Sequence, residues 1–138
     1  MRPEFWPRAA LSLAVAALVV AALVAIGGPG AGRKEKRDEA RVQDLLAMGD
    51  AIACLAADAE GKLPETLEGI ESCGSSLQLD DPFTGVPYRY ERLSEDRFRL
   101  CAGFEAPGRL EDSYYGRIEL SVIRFDRKTG CLLFEYRW

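Results

Sequence analysis

The chain changes its hydrophobic rhythm twice, and each rhythm predicts a different element. From Ala9 to Ile26, "AALSLAVAALVVAALVAI" is apolar without interruption, with no charge and a single hydroxyl, Ser12. At about 1.5 Å per residue it makes a helix about 27 Å long, close to the hydrocarbon thickness of a bilayer. "GGPG", residues 27–30, ends that helix, because glycine adds backbone freedom and Pro29 has no N–H to donate. After Asp38 the apolar residues Val42, Leu45, Leu46, Ile52, Leu55 and Ala56 recur at spacings of three and four. That period predicts one apolar face of an amphipathic helix, with Asp38, Arg41, Asp44 and Asp50 mostly off it. Gly61 and Pro64 stop the helix, and "LPETLEGIESC" predicts a short helical turn whose Leu63, Leu67 and Ile70 fold back on it.

Beyond Asp80 the period drops to two. Residues 86–93 alternate Tyr88 and Tyr90 with Arg89 and Glu91, and residues 97–104 alternate Phe98 and Leu100 with Arg97 and Arg99. Residues 105–116 form a long loop. Residues 117–125 place Ile118, Leu120, Val122 and Arg124 on one face, with Ser121, Ile123 and Phe125 on the other. "DRKTG" then turns the chain into a closing strand, "CLLFEYRW". A helix followed by antiparallel strands is an α+β architecture. The expected organisation is a short cytoplasmic tail at 1–8, a transmembrane anchor at 9–26, a linker at 27–37 and an α+β domain at 38–138.

Two membrane readings compete. Arg2 and Arg8 ahead of the apolar run, and Ala25-Ile26-Gly27 after it, suit a cleaved signal peptide. The run exceeds the roughly 7–15 residues of such a peptide, which favours a retained single-span anchor. Orientation divides the signals. Arg33, Lys34, Lys36 and Arg37 just past the span would hold the larger part in the cytoplasm. The cysteines argue the other way. Cys54, Cys73, Cys101 and Cys131, with no histidine and no CxxC pair, do not suit zinc. An even count in a small domain behind an export-like segment predicts two disulfides and an oxidising compartment. The alternative is four buried thiols in a cytoplasmic domain. The cysteine argument is preferred, placing residues 33–138 outside the cytoplasm.

Net charge is −4, but residues 33–41 hold five basic and three acidic side chains, and residues 42–138 carry net −7. A basic collar beside a membrane can attract anionic headgroups, but mixed charges that solubilise an exposed helix start are the preferred account. The acidic remainder excludes nucleic acid as an expected partner. Without histidine, general acid–base work would fall to Asp, Glu, Lys, Tyr or Cys. The Asp80-Asp81 pair is better explained by turn formation, and Ser72, Ser75 and Ser76 beside Cys73 have no identifiable base. A Walker loop and a dinucleotide glycine fingerprint are both absent. No enzyme activity, cofactor, metal or small-molecule ligand is therefore expected. Tyr114 and Tyr115 in the long loop are candidates for partner contact, or for capping the sheet.

"DPFTGVPYRY" has a local physical logic. Asp81 can hydrogen-bond its own turn, Pro82 fixes φ, Thr84-Gly85 allows a tight reversal and Pro87 starts an edge strand. With the anchor and the helix "RDEARVQDLLAMGDAIACLAADAEGKLPETLEGI", this order resembles the type IV pilin and type II secretion pseudopilin family. The residues that carry the resemblance are Ala40, Arg41, Asp44, Gly61 and Pro64, then Asp81, Pro82, Gly85, Pro87, Tyr88 and Tyr90, over residues 38–91. The resemblance implies a pilin-like domain, its amphipathic helix packed on a small antiparallel sheet. It also implies a single-pass place in the bacterial inner membrane, a periplasmic C-terminal domain and a non-enzymatic part in an envelope secretion or pilus-type complex, with membrane and other subunits as partners. Two alternatives stand beside it: an accessory subunit stabilising another membrane complex, or a ligand-sensing ectodomain.

Departures from the family limit what is carried over. "MRPEFWPR" has no glycine ahead of the apolar run, the run has no acidic residue, and "GGPG" interrupts a helix that runs on in pilins. Leader processing and filament assembly are thus not implied. Neither "DRKTG" nor "EDSYYG" matches the late calcium loop of major pseudopilins, so no metal ligand is implied. The pilin-like order places the elements bearing Cys54 and Cys73 side by side, and likewise those bearing Cys101 and Cys131. It favours those two bonds over Cys73–Cys101 with Cys54–Cys131.

Overall fold

The computed structural model describes residues 5–74, 76–110 and 121–137, and divides the chain into two compact units, residues 1–34 and 35–138. In the first, helix α1 runs Phe5–Ala25, starting four residues ahead of the uninterrupted apolar run, with Pro7 accommodated in its first turn. Its large apolar side chains are solvent-exposed along the whole length, from Trp6 to Val24. The helix is long and apolar enough to cross a membrane.

The expected linker, residues 27–37, is helical over most of its length. Helix α2 spans Gly28–Asp58, so the break shrinks to Ile26-Gly27 and the basic collar is helical. Gly27 and Gly28 supply the left-handed turn, φ 90° and 66°. Pro29 then lies in the first turn of α2, where a missing N–H costs nothing and a fixed φ helps. Proline and glycine here punctuate two helices; they do not dissolve the stretch 27–37.

Residues 35–138 form an α+β domain. Strands β1 (Arg89–Arg92), β2 (Arg97–Cys101), β3 (Ser121–Asp126) and β4 (Cys131–Glu135) make one antiparallel sheet in the order β1-β2-β4-β3. β1, β2 and β4 are shorter than the alternation predicts, and Pro87 joins Asp80 only in an isolated bridge; Ile118 and Leu120 lie outside the described residues. Val42, Leu45, Met48 and Ile52 of α2 are buried with Phe98 and Leu100 of β2 and Leu132 and Phe134 of β4 in one core. Phe98 and Phe134 stack at 4.9 Å, a favourable aromatic spacing. Gly49 explains how the helix comes so close: a Cβ there would stand 2.7 Å from the Phe134 ring. After α2, Glu60 and Gly61 both turn left-handed (φ 55° and 81°). Leu63 and Ile70 then fold back into the core as expected, the latter opening a short helical turn at Ile70–Cys73.

One expectation of side-chain direction holds and one is corrected. In β3, Phe125 faces the core and Arg124 is exposed, on opposite faces as expected. The register skips a residue between Val122 and Arg124, and this bulge shifts the alternation by one. In α2, Asp38 and Arg41 are fully buried, not off the packed face.

Both disulfides form in the favoured pairing, Cys54–Cys73 and Cys101–Cys131. The first ties the short helical turn to α2. The second joins residues directly opposite one another on β2 and β4.

Candidate functional site

Two of the residues that carry the resemblance, Arg41 and Asp81, meet in a cluster of buried charge. Arg41 is its centre. Its Nε donates to Asp81 Oδ2 at 2.7 Å and its Nη1 to Asp38 Oδ1, also at 2.7 Å. All three side chains are almost wholly withdrawn from solvent. Each carboxylate has further work. Asp81 Oδ1 accepts from the Phe83 N–H at 2.9 Å, closing the predicted turn. Asp38 accepts from the backbone N–H groups of Glu105 and Ala106. The helical pair Arg41 and Asp38 thus fastens two loops to α2, Arg41 the Asp81 turn 40 residues on and Asp38 the Glu105–Ala106 segment 67 and 68 residues on. Buried charges persist when paired and hydrogen-bonded in this way.

The cluster decides the protonation of its members. Burial alone would lower the Arg41 pKa, but its two aspartates raise it, so the guanidinium stays charged. Burial alone would raise the Asp81 pKa; hydrogen bonds from Arg41, the Phe83 N–H and Thr84 outweigh it and hold the carboxyl below its ordinary 3.8. A group with a depressed folded pKa contributes stability above its unfolded pKa, and loses it as pH falls through the folded value. Thermal midpoints measured from pH 7 to 2 should therefore stay level to about pH 5 and drop below about pH 4. Asp81→Asn should melt lower at neutral pH and flatten that acid limb. A limb of unchanged steepness in the variant would show that Asp81 does not carry it.

Around the cluster the motif residues serve the turn. Gly85 takes φ 71° and its N–H donates to the Asp81 carbonyl at 2.7 Å, while the Asp81 N–H donates to the Val86 carbonyl. Pro82 precedes Phe83, whose half-exposed ring lies 5.4 Å from the Arg41 guanidinium carbon. Tyr88 is buried and donates to Asp44 Oδ2 at 2.8 Å; burial, then Asp44, raise its pKa. Tyr90 donates to the Pro64 carbonyl, and burial pushes its pKa up to about 12. Both remain neutral phenols, Tyr88 pinning the chain just ahead of β1 to α2 and Tyr90 pinning β1 to the chain leaving that helix. Asp80 is exposed, so the adjacent carboxylates do not form a pair.

Comparison of the chain with protein-family models, with curated proteins and with solved structures finds no match. Function has to be argued from the geometry.

That geometry offers two other constellations among the described residues. Cys54, Asp58 and Cys73 bring their ligand atoms within 4.8 Å of one another, but both sulfurs are consumed in the disulfide. An open cleft of about 920 Å³ is lined by Glu60, Lys62, Arg92, Asp96, Glu135 and Arg137, among others. Its charges are mixed, and Arg92 and Arg137 are paired with Glu65 and Glu135. Tyr114 and Tyr115 lie outside the described residues.

Sequence reasoning missed the partners Asp38 and Glu105. A signal for the first was present. Asp38, Arg41, Leu45, Met48 and Ile52 follow one another at three- and four-residue steps, so both charges continue the buried stripe. Glu105, which pairs with Arg37 at 2.7 Å, lies in a loop with no such periodicity.

Proposed function

We propose that this is a membrane-anchored, non-enzymatic packing protein, a pseudopilin-like or accessory component of a bacterial envelope complex. One observation carries the reading: an exposed apolar helix of membrane-spanning length precedes an α+β domain closed by two disulfides. The bonds favour an oxidising compartment, and hence a periplasmic domain on an inner-membrane anchor. The long helix on a small sheet and the Asp81–Tyr90 turn are in keeping with a pilin-like architecture. Action by packing is supported by the use made of the buried charges. Arg41, Asp38 and Asp81 satisfy one another and the backbone, which is the economy of a scaffold.

Topology is the first test. A phosphatase fused to the C-terminus should be active and a fluorescent protein in the same place dark; the opposite pattern rejects the periplasmic domain. Partnership is the second. Full-length protein purified from native membranes in mild detergent should bring with it one stoichiometric set of envelope subunits, identified by mass spectrometry. Recovery of the chain alone, at every detergent concentration that keeps it folded, would refute a packing role.

A further inference from the structure

The basic collar resolves into two groups with different employment. Arg37 is bonded to Glu105 through two contacts, 2.7 and 3.1 Å, and Arg41 is sealed in the aspartate cluster. Arg33, Lys34 and Lys36 remain exposed and form no ion pair among the described residues. Because the collar is helical, its charges are also sorted by direction. At about 100° per residue, Arg33, Lys34, Lys36 and Arg37 fall within an arc of about 160°, while Glu35 and Glu39 lie on the opposite side. An extended linker would have mixed them. Arg33 follows the last apolar residue, Ile26, by only seven positions, with the first turns of α2 between.

Solubility alone does not require this sorting, since interspersed charges of both signs solubilise a helix equally well. On the translocated side of a membrane, a basic cluster next to a span also opposes the orientation bias of positive residues. Such a cluster needs a compensating attraction. We infer that Arg33, Lys34 and Lys36 bind the anionic phosphate headgroups of the lipid leaflet into which α1 is inserted. The inference rests on the anchorage proposed above; the outward orientation adds the argument from the positive-residue bias but is not required, because anionic lipids are met from either side. The recognising chemistry is three cations on one face of a helix against phosphodiesters, with each charge contributing roughly fivefold to binding near an anionic surface.

The full-length protein in neutral detergent, supplied with equal phosphatidylglycerol and phosphatidylcholine, provides the test, with retained lipid counted by native mass spectrometry. The wild type should hold phosphatidylglycerol over phosphatidylcholine by roughly tenfold or more, on the basis of three charges. R33Q/K34Q/K36Q should bring the ratio near one. R33K should keep it, and unchanged disulfide mapping in both variants would show that the domain is folded. Equal ratios in wild type and triple variant overturn the proposal. So does displacement of phosphatidylglycerol by millimolar inorganic phosphate, which would make free phosphate the ligand. Carbonate extraction of native membranes reports separately on the anchor. A protein that resists extraction yet shows no lipid preference keeps its anchor and loses this inference.

Discussion

Replacing all four cysteines by serine is expected to leave no stably folded domain at 37 °C. The bonds close rings across sequence separations of 19 and 30 residues. Loop entropy assigns each about 3–4 kcal/mol, or about 7 kcal/mol together. A domain of this size has a total of about 5–15 kcal/mol. The two bonds should not be equivalent. Cys101 and Cys131 are buried, so serines there add the cost of desolvating two hydroxyls to the lost ring. The order of urea midpoints for the full chain in neutral detergent should be wild type, then Cys54→Ser/Cys73→Ser, then Cys101→Ser/Cys131→Ser. A quadruple variant with the wild-type midpoint would mean that the unfolded chain gains nothing from being opened, and that the core suffices alone.

Arg41→Met is expected to cost about 3–5 kcal/mol, the usual consequence of removing one partner of a buried ion pair. Methionine fills similar volume, so the loss would reflect charge. Asp81 would retain only its turn hydrogen bonds, and Asp38 only the N–H groups of Glu105 and Ala106. Arg41→Lys separates charge from geometry. An ammonium on the same helical turn keeps the positive charge but lacks the planar fork that reaches Asp38 and Asp81 in different directions, so roughly half the loss should remain. Chemical denaturation with both disulfides intact measures each. A loss below about 1 kcal/mol for the methionine variant would place the cluster in the class of surface pairs.

Much of this fold was legible because its rules are local. The apolar run, the α2 stripe from Val42 to Ala56, and the alternation through Phe98 and Leu100 each state an element and its buried side within a few residues. What escaped was set by distant chain or by one irregularity. Arg41 reads as a surface charge until Asp81 is brought beneath it. The register of β3 skips a residue between Val122 and Arg124, a bulge that alternation cannot announce. The helix through the collar was not foreseen because Gly and Pro were given one meaning, when a proline just after a glycine pair also begins a helix.

The pairing of the cysteines also bears on how the chain acquires its bonds. The two rings are consecutive and do not interlock: Cys73 completes the first before Cys101 is reached. A domain drawn in chain order into an oxidising compartment behind its anchor would present the first pair before the second, and joining neighbours as they emerge yields the native connectivity. Its maturation should accordingly depend on a thiol oxidase and be indifferent to a disulfide isomerase.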